Sequence, residues 1–210
     1  RPVATADGGE MVTSLCKTTL DSPVWLGPED LEGNWQANRR YHGGPDKAVC
    51  CYPSEHYPAA SEFLGQELAW GAFGENLTLA GLLEGEVCIG DRFRVGDAVV
   101  EVTQPRHPCA TLARRYGSRE LPAWILRHGY TGWYFRTIEQ GLVEPADELV
   151  LLERPHPRWT ITELNRLMAG RDVTGDELRQ VIELPQLSDD WRKVFRKRLT
   201  SETEKGETFL

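Results

Sequence analysis

The sequence predicts a mainly β, α+β fold. A strand-rich body fills residues 1–153, and a linker with a unit of three short helices fills 154–210. Three observations predict it. Short β-rich runs separated by turns recur through the first part. The segment Arg154-Pro155-His156-Pro157 then breaks the pattern with two prolines in four residues. Beyond it, three capping signals each precede an apolar stripe at helical spacing.

The predicted strands run through 12–16, 48–52, 87–89, 92–95, 98–103 and 148–152. Their β-branched and apolar residues alternate with turn residues, and Gly90-Asp91 and Gly96-Asp97 supply the turns between the later ones. Frequent short strands suggest a barrel or a sandwich. Helices interrupt this pattern. One follows Pro53, with Ser54 as its N-cap. A second spans Ala110 to Tyr116 and stops at Gly117, and a third runs from Ser118 to His128 and closes at Gly129. In the C-terminal unit, Thr160 or Thr162 caps a helix ending at Gly170. Thr174 with Glu177 forms a capping box for the next, and Ser188 opens the last. The stretch 200–210 is polar and is expected to fray.

Composition narrows the function. The chain has 210 residues and a net charge of −8. Residues 1–153 carry 13 Lys+Arg against 22 Asp+Glu, and residues 154–210 carry 11 against 10. An acidic body argues against a nucleic-acid partner. No apolar run approaches the length of a membrane span. The five cysteines, Cys16, Cys50, Cys51, Cys88 and Cys109, are odd in number and lack zinc-site spacing. With no apolar leader after Arg1, these features point to a reduced, cytoplasmic protein.

Cys109 carries the strongest chemical signal. It ends Gln104-Pro105-Arg106-His107-Pro108-Cys109, between a strand-like run and a short helix. The two prolines prevent either element from continuing through Arg106 and His107. Unpaired amides at the helix start and the neighbouring cations favour a thiolate there. The alternative is a small apolar residue closing a loop. A second constellation is Arg40-Tyr41-His42-Gly43-Gly44-Pro45-Asp46-Lys47. Its Gly-Gly-Pro turn exposes backbone N–H groups, so it suits an anion or a pterin-type ring with Lys47 supplying charge, or else it is a plain surface loop. A third is Phe73-Gly74-Glu75-Asn76, where the Asn76 amide could read a heterocycle edge or simply form a turn. Cys50 and Cys51 are adjacent on a strand, face opposite ways, and read as packing thiols. His56 and Tyr57, at a helix start, read as packing residues rather than ligands, and the aromatic cluster Gly132-Trp133-Tyr134-Phe135 reads as core or pocket wall.

Taken in order, these motifs resemble those of MOSC-domain proteins, named for the C-terminal domain of molybdenum cofactor sulfurases. Within that group, the chain is similar to stand-alone bacterial reductases of N-hydroxylamino compounds that carry a C-terminal three-α-helix module. The resemblance implies a barrel of the pyruvate-kinase β-barrel type. It also implies molybdenum cofactor (molybdopterin), not pyridoxal phosphate, with Cys109 as the metal ligand. Arg106, Lys47, Gly43, Gly44, Asn76 and Gln104 would hold the cofactor, and His42 would donate a proton. The implied reaction takes R–NHOH, two electrons and two protons to R–NH2 and water. The substrate would be a small N-hydroxylated molecule such as a hydroxylaminopurine. A separate reductase would supply the electrons, and a homodimer is allowed. Two alternatives stay open: a molybdenum cofactor or sulfur carrier without turnover, or a chain whose helical tail is the functional part, docking a partner.

Overall fold

The computed structural model describes residues 2–4, 10–13, 15, 17–34 and 43–207. Its centre is a curled sheet of six strands: β4 (Val49–Pro53), β5 (Leu77–Leu79), β6 (Arg92–Val95), β7 (Ala98–Pro105), β8 (Trp133–Glu139) and β10 (Val150–Glu153). They lie in the order β10-β6-β7-β8-β4-β5. All neighbours are antiparallel except β4 and β5. Two ribbons accompany the sheet, β1 (Pro2–Ala4) with β2 (Glu10–Val12) and β3 (Val24–Leu26) with β9 (Gly141–Val143).

Alternation along the central strands sorts side chains to two faces. Val49, Cys51, Val100, Val102, Trp133 and Phe135 enter the larger core. Tyr52 enters a second cluster with Tyr57, Phe73, Leu112, Leu121 and Trp124. That cluster is roofed by α1 (Tyr57–Leu64), α2 (Ala110–Tyr116) and α3 (Leu121–His128). Helices α2 and α3 stop as the sequence predicts, at Gly117 and Gly129 in the left-handed conformation. Ser54 is not an N-cap: residues Ser54–His56 form a 3-10 turn, and His56 precedes α1.

The C-terminal helices are α4 (Ile161–Ala169), α5 (Gly175–Ile182) and α6 (Asp189–Glu207). Thr160 caps α4, and the Thr174–Glu177 capping box is formed. The last helix continues through 200–207, where fraying was expected. Ile161, Leu164, Leu167, Leu178, Val181, Trp191 and Phe195 share one core with Val87, Ile89 and Val102 of the body. The proline segment is likewise fastened. Arg154 pairs with the fully buried Asp91 at 2.7 Å, and His156 Nε2 lies 2.8 Å from Gln186 Oε1. The expected strand at 87–89 is instead a loop: Ile89 N donates to Trp159 O, and Ile161 N to Val87 O. No helix among the described residues is long and apolar enough to cross a membrane.

Candidate functional site

The site lies at one end of β7, β8 and β4. Register along β7 and β8 jumps between Val102 and Gln104, because Thr103 is an extra residue in the ladder. Val102 faces Phe135, but Gln104 rather than Thr103 faces Tyr134. Across the next pair Tyr134 faces Cys50. The bulge thus builds a row, Gln104–Tyr134–Cys50, on the side of the sheet away from the larger core. Thr103 satisfies itself elsewhere, its hydroxyl donating to Asp46 O at 2.7 Å and Tyr134 O at 3.2 Å.

Beyond the strand end, Arg106 turns back over this row. It is 6% exposed, its N–H donates to Gly132 O at 3.1 Å, and its guanidinium donates to Phe73 O. Burial alone would lower the Arg106 guanidinium. The surrounding groups, Cys50 first, then Tyr134, Cys109 and Glu75, instead hold it above the ordinary arginine value. Burial also pushes the Cys50 thiol up, against the pull of Arg106 and Lys17. Burial and then the Cys50 charge push the Tyr134 hydroxyl up. These two side chains are hydrogen-bonded to each other. Cys109 is half-buried, is the N-cap residue of α2, and packs against the second cluster. Gln104 is 4% exposed, and its Oε1 has no partner among the described residues.

Glu75 organises the wall opposite. Its carboxylate accepts from Tyr57 Oη, Gly71 N, Phe73 N and Thr78 Oγ1. Asn76 then clips β4 twice: its N–H donates to Cys50 O at 2.7 Å, and its Oδ1 accepts from Cys50 N at 3.0 Å. The Asn76 oxygen is therefore committed to the backbone. Lys17 lies between this wall and a cavity of about 590 Å³ lined also by Trp70, Glu75 and Asn76. Burial lowers the Lys17 ammonium, while Cys50, Asp30 and Glu75 pull it back up.

The structure thus brings Cys109 and Arg106 together and sets Gln104 across from Tyr134 at the end of β7. It adds Cys50, Tyr134, Glu75 and Lys17, which the sequence did not single out as site residues. His107, expected as a cationic neighbour, is exposed, with Nδ1 against Pro108 O. Gly43 and Gly44 lead into a 3-10 turn, Pro45–Lys47. Gly44 sits at φ 95°, ψ 164°, a region open essentially to glycine alone. Lys47 on that turn reaches α6, its Nζ 2.7 Å from Asp190 Oδ2. That contact lowers the Asp190 carboxyl. His42 lies outside the described residues, as does Cys16.

These residues fit molybdenum cofactor. Among the described residues no three His, Cys, Asp or Glu side chains converge on a metal position. A lone half-buried thiol suits a metal whose other ligands arrive with an organic group. The unpartnered Gln104 Oε1 offers an acceptor for a ring N–H, and Arg106 offers a buried cation for an anionic group.

Comparison with known proteins gives the family of the chain. The MOSC domain model matches residues 38–150, and the YiiM-like, 3-alpha helix domain model matches 159–202. An uncharacterized protein of Bacillus subtilis, YflK, is 44% identical over 91% of this chain and 87% of its own length. Protein YiiM of Escherichia coli is 34% identical over 90% of this chain and 85% of its own. A Gibberella moniliformis protein named Reductase is 33% identical over 92% of this chain, which spans 35% of that longer protein. The crystal structure of YiiM from Geobacillus stearothermophilus superimposes with a TM-score of 0.80 at 37% identity, covering 95% of this chain and 94% of that one.

Proposed function

The chain belongs to the MOSC-domain family, with a YiiM-like three-α-helix domain behind it, and from that premise we propose that it is a molybdenum-cofactor-binding oxidoreductase that reduces N-hydroxylated compounds to amines. MOSC domains are generally associated with molybdenum cofactor binding. The observation that carries the reading is the half-buried Cys109 thiol beside the buried Arg106 guanidinium, with a buried Gln104 oxygen at the end of the preceding strand that has no partner among the described residues.

In this reading Cys109 is the protein's ligand to the metal, and Arg106 holds an anionic part of the cofactor. Gln104 Oε1 would accept from a pterin N–H, and backbone N–H groups of the Gly43-Gly44 turn would help to hold the group. When bound, the cofactor supplies the two-electron redox centre. Tyr134 stays protonated at neutral pH, with its hydroxyl donating to the Cys50 sulfur. His42 keeps the proton-donor role assigned from the sequence. Asn76 and Lys47 frame the walls through Cys50 and Asp190. The net change is R–NHOH plus two electrons and two protons to R–NH2 and water, with a separate reductase as electron source.

The test uses protein purified from cells that make the cofactor. Wild type should contain molybdenum by elemental analysis and, with reduced viologen dye, convert 6-hydroxylaminopurine to adenine. Cys109→Ser should fold, keep its circular dichroism and purify without the metal. Full molybdenum occupancy in that variant would overturn the ligand assignment. Metal-loaded wild type that turns over no hydroxylamine would instead make the protein a cofactor carrier.

A further inference from the structure

The C-terminal helices reach the backbone of Arg106 through an unbroken series of hydrogen bonds. On α4, Asn165 Nδ2 donates to Thr131 Oγ1 at 2.9 Å. The Thr131 hydroxyl donates onward to Gly132 O at 3.0 Å. That same carbonyl accepts the Arg106 N–H at 3.1 Å. The other end of Gly132 is held as well, its N–H donating to Glu84 Oε1 at 2.8 Å. Glu84 is itself tied to α4, since Thr162 N donates to Glu84 O at 3.1 Å. One helix therefore reaches the supports on both sides of a single residue, Gly132.

Gly132 has little room to adjust by other means. It adopts φ +64°, and a Cβ there would lie 2.1 Å from Cys51 O. Thr131 is 1% exposed. Without Asn165, water is poorly placed to supply the lost donor. Arg106 is preceded by Pro105 and followed two residues later by Pro108. The Arg106 N–H to Gly132 thus ties this stiff segment to β8 just before Cys109.

We infer that Asn165 is a positioning residue: through Thr131 and Gly132 it fixes the Arg106 backbone and, with it, the approach to Cys109. The three-helix domain is then part of the site's frame. A second contact has the same sense. Ser188 N, at the start of α6, donates to Thr103 O at 3.1 Å, the bulge residue that lets Gln104 face Tyr134. The inference concerns the frame of the site and holds whatever reaction the site performs.

Amide exchange in the full-length, cofactor-free protein, resolved by NMR, tests it. Asn165→Leu removes the donor. Asn165→Asp reverses it, drawing the Thr131 hydroxyl away from Gly132. Thr131→Val breaks the relay at its centre, and Thr131→Ser keeps the hydroxyl. Exchange at the Arg106 amide should speed up about tenfold in Asn165→Asp and Thr131→Val, less in Asn165→Leu, and little in Thr131→Ser. The double variant Asn165→Asp/Thr131→Val should be no faster than Thr131→Val alone, because both act through one relay. Unchanged Arg106 exchange, additive effects, or a uniform acceleration across α4 and β8 would each overturn the positioning role.

Discussion

Glu75 and Glu84 are both buried carboxylates in this acidic chain, yet they hold different parts of the site. Glu75 gathers four donors, two from its own loop, one from α1 and one from β5, and so fixes the Phe73 carbonyl that receives Arg106. Glu84 links the elements on either side of it, with His56 Nε2 at 2.8 Å and the Gly132 N–H at 2.8 Å. The His56 ring in turn stacks on Tyr130 at 3.9 Å, a tie invisible in sequence, where His56 reads as packing. Glu84→Ala should leave a buried imidazole and a buried amide unpartnered and cost about 3 kcal/mol in urea unfolding. Glu84→Gln, which retains an acceptor for Gly132, should cost less than half of that. Equal losses would mean that volume, not hydrogen bonding, is what Glu84 provides. The thiols divide as sharply. Burial raises Cys50 and Cys51, and burial with Asp91 pushes Cys88 up to about 11. Brief iodoacetamide treatment of cofactor-free protein at pH 8, followed by peptide mapping, should therefore modify Cys109 well ahead of these three. Comparable labelling of Cys50 would show that the packing around Arg106 opens to solvent.

Among the elements, those legible in the sequence are the ones whose ends are written locally. Thr160, the Thr174–Glu177 box and the glycines after α2, α3 and α4 each mark a boundary that the structure reproduces. The β6–β7 hairpin was readable for the same reason, since Gly96-Asp97 separates two β-branched runs. Strand β8 was not. Its burial passes from fully inside at Trp133–Phe135 to exposed at Ile138, so it never alternates, and it read as an aromatic cluster. Strands β3, β5 and β9 have three residues each, too few to show a period. The site divides along the same line. Gln104, Arg106 and Cys109 lie within one short segment and could be seen together. Cys50 and Tyr134 become neighbours only through cross-strand pairing, and the Thr103 bulge that aligns them with Gln104 has no local signature. The capping box also gives a pH prediction. Hydrogen bonds from the Thr174 N–H and hydroxyl, and then Arg166, lower the Glu177 carboxyl to about 2 from its ordinary 4.5. Its folded value lies below its unfolded value, so its stabilising contribution is complete above 4.5 and disappears as pH falls toward 2. Glu177→Gln should be less stable than wild type at pH 7, with the gap in Tm closing between pH 4.5 and pH 2. A gap that stays constant with pH would assign the effect to shape rather than charge.

For the whole molecule, the proline segment invites a reading of two units joined by a linker, with the helices free to dock an electron donor. The family models divide the chain in the same place, at 38–150 and 159–202, but the two parts pack on each other. The apolar stripes of α4, α5 and α6 lie in one core with Ile89, Val100 and Phe135. Arg154 closes on Asp91, Arg136 reaches Gln186 O at 3.0 Å, and Lys47 reaches Asp190. A short peptide between two bodies that share a core cannot act as a hinge, since moving it would expose apolar surface at roughly 25 cal/mol per Å². Calorimetry should accordingly show one transition, with calorimetric and van't Hoff enthalpies in agreement. Removal of residues 159–210 should leave an aggregating remainder and not a stable body. Two resolved transitions, or a soluble cooperative fragment 1–158, would restore the two-unit picture. The outer face of α6 is a separate matter, because Lys193, Arg196 and Lys197 are exposed there. That face can still meet an acidic electron donor without any movement of the helices. Reversing these three charges should leave dye-driven reduction intact and slow reduction by the native donor. The slowing should fade as salt rises, because exposed charges are screened over about 8 Å at physiological ionic strength. Equal loss with dye and with donor would mean that α6 acts on the site from within, through Ser188 and Asp190, and not as a landing surface.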